Sequence, residues 1–218
     1  MDIIFIIIGL CVAYLVGSVP TAVWYGKAVH GIDIRNYGSG NAGATNTLRT
    51  LGKKAGVIVM IVDLLKGFIA TSLSKVLLEM GTISADKLEL WMLLFGLAAA
   101  LGHIFPVYAN FRGGKGVATL LGMILAINLN IALICIGVFF IVLVVSKYVS
   151  LGSMLAALAF PMAFLMPRFK PDEPLTIVFA FALASVVVIT HQKNIKRLIN
   201  GQENKTRIRL KKKRGDHH

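Results

Sequence analysis

Residues 116–146 read GVATLLGMILAINLNIALICIGVFFIVLVVS, an apolar run interrupted only at Asn128-Leu129-Asn130. It is either one long helix or two short ones, and the choice decides on which side of a membrane everything beyond residue 146 lies. A membrane is implied by the whole composition. The chain has 218 residues, 56% of them hydrophobic and 15% charged, with a mean hydropathy of +0.76. Soluble chains carry about 25% charged residues. Runs approaching 20 apolar residues recur along the chain, the length that spans a bilayer as a helix. They place spans at about 3–25, 55–78, 88–108, 116–128, 131–146, 150–167 and 174–190.

Charge decides the disputed stretch. With two helices in 116–146, the Lys and Arg residues of 26–54, 109–115, Lys147 and the tail all fall on one side and number 18. The other side then holds three, Lys87, Arg168 and Lys170, while Lys66 and Lys75 lie inside the second span. With one helix the basic tail would land outside, against the tendency of Lys and Arg to stay in the cytosol. The reading is therefore an all-α membrane protein of about seven transmembrane helices, N-terminus outside and C-terminus cytosolic. Span four is short, ~20 Å of helix, so it is expected to be tilted or shielded by its neighbours. Residues 1–203 form a single integral membrane domain. Residues 204–218 are read as a basic, disordered cytosolic tail lying on anionic lipid.

Other classes fall away. The first apolar stretch has no basic leader or small-residue cleavage site and is too long for a signal peptide, so it reads as the first span. The net charge of +13 sits in short loops between spans and in the tail, so no nucleic-acid partner is expected. Cys11 and Cys135 lie in apolar runs, where neither a disulfide nor a metal is expected. No cluster with metal-ligand spacing faces the cytosol, so neither a metal nor a cofactor is called.

With this topology four polar segments meet at the cytosolic face. The first is GSGNAGATNTLR (38–49), whose Gly38, Gly40 and Gly43 spell a dinucleotide fingerprint by letter count. The strand and the βαβ context are missing, and the only acid some 20 residues on, Asp63, lies inside the next apolar run, so no dinucleotide is expected. Glycines spaced this way instead let backbone N–H groups close on an anion. Thr45 is placed to cap a short helix carrying Arg49, with Gly52 ending it. Ser39, Asn41 and Asn46 add polar groups; the bland alternative is a flexible loop between spans. The second segment, RGGKG (112–116), sets Gly114, Lys115 and Gly116 at the mouth of a helix starting near Val117. Gly116 stands where a Walker loop needs Ser or Thr, so ATP hydrolysis is not expected. Lys115 reads as an anion ligand or, blandly, as a topology anchor. In HQKNIKRLINGQE (191–203), His191 and Asn194 share a helix face. Ser150 and Ser153 open span six and either cap it or touch substrate. Asp63 and Lys66 inside span two are either functional or a buried ion pair. None of the five His has an Asp five positions on, which excludes the H-x-x-x-x-D dyad of many acyltransferases.

GSGNAGATNTLR, FRGGKGVAT preceded by GHIFPVY, YVSLGS and HQKNIKRLINGQE together resemble the motifs of bacterial acyl-phosphate-dependent glycerol-3-phosphate acyltransferases, from Met1 to about Glu203. The resemblance implies a multi-pass enzyme of the bacterial inner (plasma) membrane with its active site facing the cytosol. It implies acyl transfer from acyl phosphate to the 1-hydroxyl of glycerol 3-phosphate, giving lysophosphatidic acid and inorganic phosphate, the first acylation of phospholipid synthesis. By position it carries over Ser39, Asn41, Thr45, Asn46 and Arg49 from the first motif, Lys115 from the second, Ser153, and His191 and Asn194 from the third. The partners implied are the two substrates and the lipid bilayer.

An acyl phosphate already carries a good leaving group, so positioning two anions and stabilising developing charge can suffice. Ser39 has no base near it in sequence, and direct transfer is expected over an acyl-Ser39 intermediate. Asn194 is then expected to orient the acceptor hydroxyl, with His191 or a substrate phosphate oxygen taking the proton. The rival class is a transporter or channel for a phosphate-bearing or other anionic solute. It would place polar residues through the bilayer midplane, whereas here they gather at one face.

Overall fold

The computed structural model describes residues 2–206; the tail reading for 207–218 lies outside them. The described chain folds into ten α-helices joined by turns and loops: α1 (Asp2–Gly17), α2 (Thr21–His30), α3 (Ala44–Leu51), α4 (Lys53–Glu79), α5 (Leu88–Ile104), α6 (Val117–Ile127), α7 (Leu129–Ser146), α8 (Val149–Phe164), α9 (Leu175–Thr190) and α10 (Gln192–Ile199). No strand occurs among the described residues.

The stretch 116–146 is two helices. Asn128 adopts an extended backbone (φ −155°, ψ 117°), which breaks the helical ladder. Its side chain then accepts from Asn130 N at 2.9 Å and Ile131 N at 3.3 Å, capping α7. The first expected span is also divided. Pro20 has no N–H to continue α1, so the chain turns at Ser18–Pro20 and resumes as α2. Taken together, α1 and α2 (Ile3–His30), α4, the segment Ala85–Ala109 and α7 are each long and apolar enough to cross a bilayer. The α9–α10 pair, bent by 60°, makes a fifth candidate, and α6 and α8 are apolar but shorter. At 11 residues, α6 is only about 16 Å long against a hydrocarbon core of ~30 Å.

Two helices hold the bundle together. α4 packs on α1, α5 and α6, while α5 also meets α9; α8 joins α7 to α9. The closest crossings use glycine. A Cβ on Gly67 of α4 would stand 1.9 Å from the Thr119 carbonyl oxygen, and one on Gly122 of α6 would stand 2.0 Å from that of Leu64. Neither position tolerates a side chain, so α4 and α6 touch backbone to backbone, as helices do in lipid when small residues line the contact. Phe95, Phe164, Leu93, Met123 and Ile131 fill the interior, whereas Ile3, Ile7, Phe140, Ile141 and Val145 face outward, as suits lipid. The consequence for function is that α3, α6, the start of α8 and the α9–α10 bend meet at one end.

Candidate active site

Both glycine segments end as helix N-termini without a side-chain cap. In the first, Gly38 (φ 59°) and Gly40 (φ 72°) take left-handed turns that other residues resist. The N-cap of α3 is Gly43, with no side-chain cap hydrogen bond. Thr45 therefore lies one residue inside the helix instead of capping it, a correction to the expected start. Gly52 ends α3 as expected. The loop keeps its shape through Asn46, which is buried. Its Oδ1 accepts from Ser39 N at 2.9 Å, and its Nδ2 donates to Ile34 O at 3.2 Å and Tyr37 O at 3.0 Å. Asn46 thus spends its hydrogen-bonding capacity inside the loop, while Arg49 and Thr45 stay exposed. In the second segment Gly116 (φ 80°) caps α6, again with no side-chain hydrogen bond. Two helix starts with unclaimed N–H groups at one end of the protein favour anions there.

The two segments are tied together. Arg35, in the short turn Ile34–Asn36, donates to Ala109 O at 2.9 Å and Arg112 O at 3.3 Å. Asp33 pairs with Arg35 at 2.6 Å, and that hydrogen bond holds its carboxyl at about 2.

Around Lys115 the third segment closes in. The Lys115 ammonium donates to Asn194 Oδ1, and Asn194 Nδ2 donates to Glu203 Oε1 at 2.7 Å. The same Oε1 accepts from Ser150 Oγ at 2.9 Å, and Oε2 accepts from Arg197 Nε at 2.8 Å. Burial would push the Glu203 carboxyl up, but the hydrogen bonds from Arg197, Asn194 and Ser150 hold it below its ordinary value. Arg49 reaches across to Asn204 O at 3.5 Å, which brings the first segment to the same place. Thr206 N donates to Lys147 O at 2.8 Å, so the chain past Glu203 folds back against the α7–α8 corner.

Two titrations matter. Lys115 is lowered to about 8, first by burial and then by Arg197 and Arg49, with Glu203 opposing. It remains largely cationic at pH 7. His191 is 2% exposed and lowered to about 4, first by burial and then by Lys115. Its Nδ1 stands 2.7 Å from Val187 O, and a carbonyl only accepts, so Nδ1 carries the proton. His191 is neutral at pH 7, and Nε2 is its acceptor.

The structure thus gathers Lys115, Asn194, His191 and Arg49, and ties Ser39 and Asn46 within their own loop. Ser153 is buried and donates to Val149 O of its own helix at 2.9 Å. Asp63 and Lys66 form a buried ion pair at 2.9 Å. Sequence reasoning missed Glu203 as a participant, although it is the one acid in an otherwise basic segment 191–203.

A helical bundle with lipid-type surfaces and a cationic, glycine-lined end defines a membrane-embedded protein that handles anions. Its relatives narrow this further. Residues 7–201 match the family model for glycerol-3-phosphate acyltransferase. A protein of that name from Bacillus cytotoxicus is 47% identical over 94% of this chain and 96% of its own length. One from Salinibacter ruber is 41% identical over 89% of each. The crystal structure of PlsY, an integral membrane glycerol 3-phosphate acyltransferase, in its glycerol 3-phosphate form superposes with a TM-score of 0.81 at 34% identity, covering 93% of this chain and 96% of that one. Its lysophosphatidic acid form gives 0.77 at 33% identity. The chain belongs to the glycerol-3-phosphate acyltransferase family.

Proposed function

We propose that this protein transfers a fatty acyl group from acyl phosphate to the 1-hydroxyl of glycerol 3-phosphate, releasing lysophosphatidic acid and inorganic phosphate. The observation that carries this reading is the meeting of two uncapped glycine-led helix starts with Lys115, Arg49 and a neutral His191. Two anionic substrates need two cradles. We assign Gly38, Gly40, Asn41, Gly43, Thr45 and Arg49 to one, with Asn46 shaping it, and Gly114, Lys115, Gly116 and Ser153 to the other.

In the reaction the glycerol oxygen attacks the acyl carbonyl carbon, a carbon–oxygen ester bond forms, and the bond from that carbon to the phosphate oxygen breaks. Cations and backbone N–H groups stabilise the charge that builds on the carbonyl and on the departing phosphate. His191 Nε2 accepts a hydrogen bond from the attacking hydroxyl and orients it. At about 4 it is a weaker base than a phosphate dianion, so the proton ends on phosphate. Asn194 acts by holding Lys115, since its amide is bonded on both sides. Ser39 serves as a hydrogen-bond donor and is not acylated.

The same proposal includes seven crossings with the N-terminus outside, a cytosolic site in the bacterial inner membrane, and a basic tail; of the expected tail 204–218, Asn204 and Thr206 are instead bonded to the bundle. The acyl chain would then stay in the bilayer while the charged groups react at its surface. Purified protein in detergent, given acyl phosphate and glycerol 3-phosphate, is expected to yield lysophosphatidic acid. Product from acyl thioesters but none from acyl phosphate would refute the donor. Uptake of glycerol 3-phosphate into proteoliposomes with no ester formed would refute the reaction.

A further inference from the structure

Beneath the second glycine segment lies a buried cluster that the proposed mechanism does not use. Asp63 and Lys66, one turn apart on α4, have side chains 2% and 5% exposed. Lys66 Nζ donates to Val19 O, at the break between α1 and α2, at 2.9 Å. Thr21 Oγ1, at the start of α2, donates to Asp63 Oδ1 at 3.1 Å. His103, from α5, sets Nδ1 3.7 Å from the same oxygen, within electrostatic reach but too far for a direct hydrogen bond. One carboxylate oxygen therefore faces groups from three helices. Burying such charge is costly, and its bland role would be to tie helices together.

The far edge of the His103 ring points to something else. A Cβ on Gly114 would stand 2.1 Å from His103 Nε2 and 2.9 Å from Cε1, so the glycine backbone rests directly on the imidazole. That same Cβ would stand 3.0 Å from the carbonyl oxygen of Ala42, in the first glycine segment. The backbone adds two more fastenings: Gly114 N donates to His103 O and Gly113 N to Ile104 O, each at 3.1 Å. Asp63, His103, Gly114 and Ala42 are thus stacked in that order, and Lys115 directly follows Gly114 in the chain.

We propose that His103 is a positioning residue for acyl transfer: its imidazole, steadied by Asp63, is the floor that fixes the Gly113–Gly114 turn, and hence Lys115, against the first glycine segment. The inference rests on the reaction proposed above. A purely structural His103 would affect stability and leave substrate binding alone. A positioning His103 acts through Lys115 on phosphate affinity.

The test uses the full chain in detergent with His103→Asn and His103→Gln. Asn places its amide near the Nδ1 position and keeps the Asp63 side, but withdraws the edge under Gly114; Gln reaches the Nε2 position. For His103→Asn, KM for at least one phosphate substrate is expected to rise about tenfold, with kcat changing by less than about threefold and little change in melting temperature. His103→Gln should recover most of the affinity. In a Lys115→Ala background, His103→Asn should add less than about twofold, because the two act as one unit. Unchanged KM, or losses that multiply in the double variant, would overturn the proposal.

A reaction-independent reading comes from the rate at which trinitrobenzenesulfonate modifies Lys115, followed by peptide mass spectrometry. His103→Asn is expected to change that rate at least about threefold, and an unchanged rate overturns the proposal. If wild-type protein forms no lysophosphatidic acid, the reaction falls, and the labelling still decides whether His103 positions Lys115. Where His103→Asn does not fold, Gly114→Ala should reproduce the labelling change by pressing a methyl on Nε2, and adding His103→Ser should reverse it. Failure of that reversal also overturns the proposal.

Discussion

Replacing Glu203 by Ala removes an acceptor that three donors share, and the consequences can be worked through. Ser150 Oγ and Asn194 Nδ2 both bond Oε1, at 2.9 and 2.7 Å, and each residue is 6% exposed. Leaving a buried donor without a partner costs about 1–3 kcal/mol. Arg197, bonded to Oε2 at 2.8 Å, is one-third exposed and recovers water, so its loss adds about 1 kcal/mol at most. The total is about 2–7 kcal/mol, which for a chain of this size lowers the melting temperature by roughly 5–25 °C. Glu203→Gln keeps the Oε1 acceptor and sets an NH2 group against Arg197, so it should cost about 1–2 kcal/mol. The second readout is titration of Lys115. Glu203 is the group that opposes burial, Arg197 and Arg49 in holding Lys115 at about 8. Without it Lys115 loses its proton at lower pH. Phosphate affinity that depends on the ammonium is complete below that pKa and lost as pH rises through it. Thermal unfolding and KM measured from pH 6 to 9.5 therefore both move in Glu203→Ala. A melting temperature within a degree or two of wild type, together with an unmoved alkaline limb, would refute this account of the site. Because the Glu203 carboxyl is itself held below its ordinary 4.5, its contribution is fully present above that pH. It disappears as pH falls through the lowered folded value.

In Lys115→Arg the guanidinium stays charged at all accessible pH, so the rise in phosphate KM above about 8 should vanish even if overall activity drops; persistence of that limb would assign it to another group. Arg49→Lys should lose at least about tenfold in kcat/KM, because a single ammonium cannot reproduce the planar fork; full activity in folded protein would return Arg49 to a topology anchor. Ser39→Ala should slow turnover without altering the kinetic pattern. Labelled acyl phosphate given without acceptor should leave no acyl group on Ser39, and recovery of an acyl-Ser39 peptide would sink direct transfer.

What the sequence displayed were the features whose cause is local. The break at Asn128 could be read because one polar cap in an apolar run acts on its own neighbours, and both glycine segments could be read because φ > 0 and a bare helix start are local demands. Pro20 carried a comparable signal, but the apolar run across it masked the turn between α1 and α2. Thr45 misled because its hydroxyl can cap a helix and glycine has none; the chain instead starts α3 at Ala44 with Gly43 before it, leaving the N-cap without a side-chain oxygen. The remaining features depend on contacts that sequence spacing does not encode. Glu203 reads as a surface acid until α8 brings Ser150 to it from 53 residues away. His103 is unremarkable in GHIFPVY until Asp63 and Gly114 close on its two edges. Asn194 shows the difference most sharply. Its type and its place beside His191 suit a group that orients a hydroxyl, yet its amide already bridges Lys115 and Glu203. Residue type tells which groups can meet an anion, and the fold tells which of them already hold one another. In this site the Lys115 ammonium is set by an amide, the amide by a carboxylate, and the carboxylate by the corner of α8.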